Sequence, residues 1–200
     1  MKTTVKIVHS WIEYRSLPDW EWRKDYFSWT TGGYVATNWK RIEEANKSNQ
    51  EKRKFDKEHQ LCLTYAKEGH HIKHLVDRKE NGEGTYDTIF DNIKADLKRT
   101  RSTNNIIKYA HRAIKKQGAQ IILFEFERWN NEFRDLVDEL VRKGYHGRYV
   151  VTGENKSHLF KYISQPGYRA GWRRYGSLQK RHASLFACKH TTLSPIPQGF

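Results

Sequence analysis

Thr85-Tyr86-Asp87-Thr88-Ile89-Phe90-Asp91-Asn92-Ile93-Lys94-Ala95-Asp96-Leu97-Lys98 is the stretch that predicts the fold. Its Asp-Asn pair is typical of the turn of a β-hairpin, because both residue types tolerate a positive φ. Folding back at this turn places Asp87 opposite Asp96 on the neighbouring strand. Side chains alternate along a strand, so Asp96 and Lys98 point to one side while Leu97 points into the core. The stretch therefore predicts a hairpin that brings an acid to an Asp-x-Lys motif.

The paired acids indicate a metal site. Two facing carboxylates repel each other unless a divalent cation lies between them, and a nearby lysine can hold or activate a water. We predict that Asp87, Asp96 and the backbone carbonyl of Leu97 bind Mg²⁺ or Mn²⁺, with Lys98 beside the attacking water. The motif alone is weak, since residues 77–79 and 154–156 also match it. A solvated, charged hairpin is the alternative interpretation.

Helical and strand-like segments lie on both sides of the hairpin. Upstream, residues 55–68 have helical spacing with Gly69 as a C-cap, and a strand begins at His71. Downstream, the patterns predict a helix, a buried strand, a helix and a last strand in residues 104–117, 120–124, 133–144 and 147–152. The order is helix, three strands, helix, strand, helix, strand (αβββαβαβ). We therefore predict an α/β fold whose mixed central sheet is flanked by helices.

Over residues 55–152, this pattern resembles the PD-(D/E)xK nuclease superfamily. The resemblance is greatest to the C-terminal, tRNA nuclease-like domains of contact-dependent inhibition toxins and to phage MuF-like domains. It implies a restriction-endonuclease-like core in which Asp87 and Asp96 hold the metal, Lys98 supports the water and Glu58 completes the site. The matching residues are Lys57-Glu58, residues 66–70, Asp87, Asp96-x-Lys98 and residues 115–119.

The chain departs from the family pattern at two positions. Tyr86 stands where proline is usual, and Asp96 replaces the commoner glutamate. Neither change removes a ligand, so only the geometry of the site is affected. Glu58 also has an ordinary interpretation, that of a solvent-exposed helical acid beside Lys57.

Gln117 is a further catalytic candidate. It shares a helix face with Ala110, Ala113 and Ile114 and therefore points toward the sheet. A buried amide needs hydrogen-bond partners. A catalytic carboxylate, a substrate phosphate or nearby backbone groups would each satisfy it.

The composition favours a polyanionic partner. Lys and Arg number 37 against 23 Asp and Glu, which gives a formal net charge of +14, and phosphate contacts would weaken binding as salt rises. No apolar run suits a membrane span and no secretion signal is evident, so we predict no membrane partner and a cytoplasmic location. Two cysteines fit a reducing compartment. DNA or RNA is the predicted partner; the resemblance adds an immunity or phage protein and delivery within a toxin or phage system.

Basic and hydroxyl side chains near the hairpin predict where nucleic acid binds. One group follows the Asp-x-Lys strand, and another forms a stripe on the next helix. Helix capping and an ordinary solvated face are the alternatives. The candidates are Thr100, Arg101, Ser102, Lys108, Arg112, Lys115 and Lys116, with Arg173 and Arg174 near the C-terminus.

The composition also divides the chain into three parts. Residues 1–54 hold five of the seven tryptophans and are predicted as an aromatic-rich extension that forms an accessory core or stacks on unpaired bases. Within it, residues 5–8 predict a strand and residues 39–55 a helix. Residues 55–152 form the predicted nuclease core. Residues 153–200 form a basic tail. From about Gln165 it has no acidic residue, which predicts a phosphate-binding arm, with an inert, loosely ordered tail as the alternative.

The expected function is Mg²⁺-dependent cleavage of DNA or RNA, with tRNA as one candidate substrate. The first alternative is a metal-independent ribonuclease that uses His with Tyr or Lys; its activity would survive chelation and leave DNA intact. The second is a non-catalytic nucleic-acid-binding or phage-associated structural protein. Replacing Asp87 or Asp96 would not affect such a protein.

Overall fold

One mixed sheet of eight strands organises the described part of the chain. The structure, a computed structural model, describes residues 2–76 and 84–161. The strands follow in spatial order as β1 (Trp22–Phe27), β2 (Tyr34–Asn38), β3 (His71–His74), β4 (Thr88–Phe90), β5 (Ile93–Thr100), β6 (Ile121–Phe126), β7 (Gly147–Val151) and β8 (His158–Phe160). Strands β2 and β3 pair in parallel, as do β5, β6 and β7, and all other neighbours are antiparallel.

Helices cover both faces of this sheet. They are α1 (Lys2–Ser16), α2 (Trp39–Ala45), α3 (Asn49–Lys67), α4 (Ile106–Lys115) and α5 (Asn131–Arg142), with a short 3-10 helix at Thr103–Asn105. Alternate residues of β6 separate the two cores. Ile121 and Leu123 belong to the core beneath α3, while Ile122 and Phe124 belong to the core beneath α4 and α5. The predicted α/β class, with a mixed sheet flanked by helices, is confirmed.

Local signals explain where the central helices begin and end. Helix α3 begins after Ser48, whose hydroxyl accepts the backbone N–H of Glu51 at 3.1 Å, as an N-cap should. The helix is followed by Gly69 at φ 97°, a conformation that favours glycine. The cap at Ser48 also separates α2 from α3. The predicted helical segment at residues 39–55 is therefore helical at both ends but is divided into two helices at residues 46–48.

The prediction of a strand at residues 5–8 is wrong, because these residues lie within α1. Their β-branched side chains favour a strand, but the helical spacing of Trp11 and Tyr14 with Ile7 outweighs that preference. Trp11 and Tyr14 pack in a cluster with residues of β1 and β2, and the backbone of Ile7 lies close to Gly32. The contact with the sheet therefore selects the helix.

The sheet extends beyond the segment that the sequence predicts as the nuclease core. Strands β1 and β2, from the first 54 residues, pair directly onto β3, and β8 pairs with β7. The described residues form one compact unit. Residues 162–200, with most of the predicted basic tail, lie outside the described residues.

Candidate functional site

The hairpin of β4 and β5 positions the two predicted metal-binding acids. Asp91 and Asn92 form its two-residue turn with φ values of 48° and 66°, as a twisted hairpin requires. The register pairs Thr88 with Ala95, and Asp87 and Asp96 are the next residues of the two segments beyond this pair.

The Asp87 carboxylate is held against the edge of β5. It is only 5% exposed, and it accepts the backbone N–H of Leu97 at 2.8 Å and the Thr88 hydroxyl at 3.1 Å. Both main-chain groups of a strand residue point to the same edge of the strand. The Leu97 carbonyl, a predicted metal ligand, therefore faces the Asp87 side of β5.

Asp96 and Lys98 meet on one side of β5. The Lys98 ammonium contacts the Asp96 carboxylate, which is 0% exposed, whereas the lysine side chain is 19% exposed. Leu97 turns the other way, into the core beneath α3. The expected alternation is thus present, and Lys98 connects a buried acid to solvent.

The electrostatics of Asp87 show how closely these groups lie. Burial and the neighbouring charge of Asp96 raise the pKa of Asp87 well above its ordinary value. Lys98 and the Leu97 N–H act in the opposite direction, and Glu58 adds a further raising effect. Asp87 therefore interacts electrostatically with all three of the other charged residues predicted for the site.

Glu58 belongs to a second charged group, which sequence reasoning missed. Its carboxylate accepts a hydrogen bond from Arg41 at 2.9 Å and lies 3.4 Å from His74 Nε2. Burial raises the pKa of Glu58, but His74, Lys54 and Arg41 outweigh that effect and lower it to about 2. Glu58 is therefore not the free, exposed acid of the ordinary interpretation.

Arg41 and His74 are the least expected residues of this region. Arg41 is 1% exposed and His74 is 0% exposed, and the Phe55 ring lies beside both, with its centroid 5.3 Å from the guanidinium and 5.5 Å from the imidazole ring. Arginine is almost never fully buried unless it is paired. No sequence signal identifies them, because their burial depends on the packing of α2, α3 and β3.

Gln117 forms hydrogen bonds with the backbone of the two residues that precede Asp87. Its side-chain N–H donates to the Thr85 backbone carbonyl at 3.2 Å, and the Gln117 backbone carbonyl accepts the N–H of Tyr86 at 2.9 Å. Its side-chain oxygen is buried with no hydrogen-bond partner among the described residues. The backbone alternative is therefore the observed one, and Gln117 holds the residues just before Asp87.

The hydroxyl residues after β5 bond to their own loop. The Thr100 hydroxyl donates to the Ser102 carbonyl at 2.7 Å, and the Ser102 hydroxyl caps the 3-10 helix at Asn104. Arg101 is exposed and forms an ion pair with Glu127. For Ser102, the capping alternative is thus confirmed.

The predicted basic stripe lies on the outer face of α4. Lys108, Arg112, Lys115 and Lys116 are all exposed there, on the face of the sheet opposite α3. Arg173 and Arg174 fall outside the described residues. The stripe is therefore accessible, but it lies on another side of the sheet from Glu58.

The donor set fits a hard divalent cation only in part. Carboxylate and carbonyl oxygens are the ligands that Mg²⁺ prefers, and Asp87, Asp96 and the Leu97 carbonyl supply them along one edge of the hairpin. Across residues 2–76 and 84–161, no group of three or more His, Cys, Asp or Glu side chains is arranged to hold a metal ion. Such a site would therefore rest on two side chains and one backbone oxygen.

Comparisons of the chain with protein-family models, curated proteins and solved structures gave no significant match. A search of the described helices for a membrane span was also negative, since none combines the required length and apolar character. What can be inferred about function therefore depends on the chain's own residues.

Proposed function

We propose that the protein is a metal-dependent nuclease of the PD-(D/E)xK type, built on a restriction-endonuclease-like core. The observation that carries this proposal is the shared buried position of Asp87 and Asp96 with Lys98 in contact. Two neighbouring buried carboxylates with one ammonium in contact with Asp96 leave a negative excess, which a divalent cation would neutralise. The net charge of +14 supports nucleic acid as the substrate.

The roles follow from the positions of the side chains. Asp87, held by the Leu97 N–H, and Asp96 would bind the cation together with the Leu97 carbonyl. When bound, Mg²⁺ or Mn²⁺ supplies Lewis acidity at the scissile phosphate. Lys98, which reaches from Asp96 toward solvent, orients the water that attacks phosphorus. One P–O ester bond breaks, the water oxygen joins the phosphate, and a proton passes to the leaving oxygen.

Glu58 and Gln117 support this arrangement without replacing it. Glu58 stays ionised at neutral pH because His74, Lys54 and Arg41 stabilise its carboxylate, so it adds a fixed negative charge that acts on Asp87. Gln117 positions the backbone that enters Asp87. We therefore assign Gln117 a positioning role and Glu58 an electrostatic one.

Cleavage assays on three substrates test the proposal. Plasmid, single-stranded DNA and tRNA are incubated with Mg²⁺, with Mn²⁺ or with EDTA. We expect cleavage of at least one substrate with metal only, and a loss of about a hundredfold or more in Asp96→Asn, because the metal site would lose one of its two carboxylates. Asp138→Asn, the same change at an exposed position of α5, should keep full activity.

Other outcomes identify the alternatives. Cleavage of tRNA alone that persists in EDTA would indicate a metal-independent ribonuclease. Intact substrates in every lane would leave a non-catalytic binding protein. If cleavage is found, slower bacterial growth on expression, relieved by Asp96→Asn, would support the toxin setting that the resemblance implies.

A further inference from the structure

A cavity lies between α5 and the last two strands of the sheet. Its volume is about 330 Å³, which is at the lower end of the range for pockets that enclose small organic ligands, roughly 300–1,000 Å³. Its apolar lining includes Val137 and Val141, one turn apart on α5, and Phe160 of β8. The size and the lining therefore suit a small organic group.

Two aromatic rings line the same cavity and lie flat against each other. The rings of Trp129 and Tyr149 are stacked, with their centroids 4.8 Å apart and an angle of 11° between their planes. The His158 ring stacks on Tyr149 at 4.9 Å. Trp129 remains 39% exposed despite these contacts. An exposed indole beside a cavity can stack against a further flat ring, such as an unpaired base.

The charged groups of the cavity favour an anion. Arg134 and Lys161 line it, and both are exposed. Asp138 is the acid among the described residues that line it. Arg134 contacts Asp135 at 3.9 Å, but both side chains are more than half exposed, so this pair is weak. Two cations against one acid suit a phosphate that is attached to the flat ring.

The sheet register places this cavity on the face that carries Asp96 and Lys98. Lys98 pairs with Phe124, and Phe124 pairs with Tyr149; paired residues lie on the same face of a sheet. Neighbouring strands are about 4.8 Å apart, so the backbones of Lys98 and Tyr149 are separated by about 10 Å. Phe124, which is fully buried, lies between them. The cavity is therefore a separate site on the same face as the candidate catalytic lysine.

We propose that this cavity binds one unpaired base of a single-stranded nucleic acid. Trp129 stacks on the base, and Arg134 and Lys161 bind the adjoining phosphate. A base that is paired within a duplex cannot reach the indole, so the site selects single strands and unpaired loops. The inference takes nucleic acid as the partner, as the proposed function does, but it does not require cleavage.

Binding measurements on four variants test the inference. The first probes are a fluorescein-labelled DNA strand of about 20 nucleotides, longer than the usual site of a single-strand-binding fold, its duplex and the corresponding RNA strand. A DNA strand of equal length built from abasic residues is the fourth probe, and all are measured in EDTA so that no metal-dependent cleavage occurs. Trp129→Leu removes the exposed ring, and Arg134→Gln removes one charge. Trp39→Leu is the matched control, because Trp39 is also 39% exposed. Asp138→Asn tests the sign of the ligand's charge.

We expect Trp129→Leu to raise Kd about tenfold for the single strand that binds best, as the loss of one base stack should. The same variant should leave the Kd of the abasic strand unchanged. Arg134→Gln should raise Kd for both strands and make the slope of log K against log salt shallower by about 0.7. Trp39→Leu should bind as the wild type does. Asp138→Asn should bind at least as tightly, because it removes a negative charge.

Several results would overturn the inference. They are an unchanged Kd in Trp129→Leu, an equal loss in Trp39→Leu, and an equal loss on the duplex or the abasic strand. Weaker binding by Asp138→Asn would indicate a cationic ligand, and binding of AMP as tightly as the strand would indicate a free nucleotide. A dimer that Trp129→Leu dissociates would assign the cavity to a second copy of the chain. If Trp129→Leu melts at a lower temperature than the wild type, Arg134→Gln decides, and its unchanged Kd would refute the site.

The assay separates this inference from the proposed function. Binding that depends on Trp129, without cleavage of any substrate, would refute the nuclease and retain the base site. Metal-dependent cleavage, with binding unaffected by Trp129→Leu, would retain the nuclease and refute the base site.

Discussion

Two groups of buried charges lie close together in this protein and differ in their balance. The first, the Arg41 cluster (Arg41, Glu44, Glu58 and His74), surrounds its acids with cationic and hydrogen-bonding partners. The second, the aspartate pair (Asp87 and Asp96), places two acids together with one lysine. The pKa of Glu58 is accordingly lowered, while that of Asp87 is raised.

The contrast indicates which group serves stability and which serves function. A paired buried charge becomes strongly destabilising only when one partner is removed. Two neighbouring carboxylates, by contrast, destabilise the fold as they stand, because burial and mutual repulsion both disfavour the ionised forms. Proteins tend to keep such a local conflict at functional sites. We therefore interpret the Arg41 cluster as structural support and the aspartate pair as the reactive centre.

The largest effect on stability is expected from Arg41→Met. This change leaves two partly buried glutamates, Glu44 and Glu58, without the buried guanidinium that pairs with both, so the free energy of unfolding should fall by about 3–5 kcal/mol. Urea denaturation measures the difference. Arg134→Met, at an exposed arginine whose nearest acid is 3.9 Å away, should cost less than about 1 kcal/mol. Equal losses in the two variants would contradict the structural role of the cluster.

Glu58→Gln tests the same cluster through pH. The folded-state pKa of Glu58 is about 2, against an ordinary value of 4.5, so its contribution is complete above pH 4.5 and is lost as pH falls toward 2. The wild type should exceed the variant by about 3 kcal/mol at pH 7, and the difference should shrink through that window. Unfolding curves from pH 7 to pH 3 provide the measurement. A difference that does not change with pH would show that the pairing is not electrostatic.

Asp87→Asn should change stability in the direction opposite to Glu58→Gln. Because the folded-state pKa of Asp87 is raised above 3.8, ionisation costs stability progressively as pH rises above about 4. The variant should equal the wild type at pH 4 and become the more stable of the two as pH rises toward 8.

Added Mg²⁺ should stabilise the wild type more than Asp87→Asn. At ten times its Kd, a bound cation adds about 1.4 kcal/mol to the stability of the wild type, and it should add far less to Asp87→Asn. Thermal melting with and without Mg²⁺ measures both effects. A variant that is less stable than the wild type at pH 8, or equally stabilised by Mg²⁺, would contradict the unbalanced pair.

Some features were predictable because they depend on neighbouring residues alone. The turn at Asp91-Asn92 requires two positive φ values, and few residue types adopt them readily, so the hairpin and the facing of Asp87 and Asp96 could be inferred. Gly69 marked the end of α3 for a similar reason. Residues 5–8 show where local reasoning fails, since a β-branched run favours a strand but contact with the sheet keeps it helical.

Other features depend on parts of the chain that are distant in sequence. Three separate elements, α2, α3 and β3, supply Arg41, Glu58 and His74. The sequence around each of these residues gives no signal of a buried ion pair. Gln117 likewise finds Thr85 across 32 positions of sequence.

The sequence by itself determined the α/β class, the hairpin turn and the meeting of two aspartates with a lysine, because turn geometry and strand alternation act over a few residues. Only the tertiary structure decided which charges are buried and which of them are balanced. Burial and charge balance depend on the elements that pack against a side chain, and that packing is a property of the whole fold.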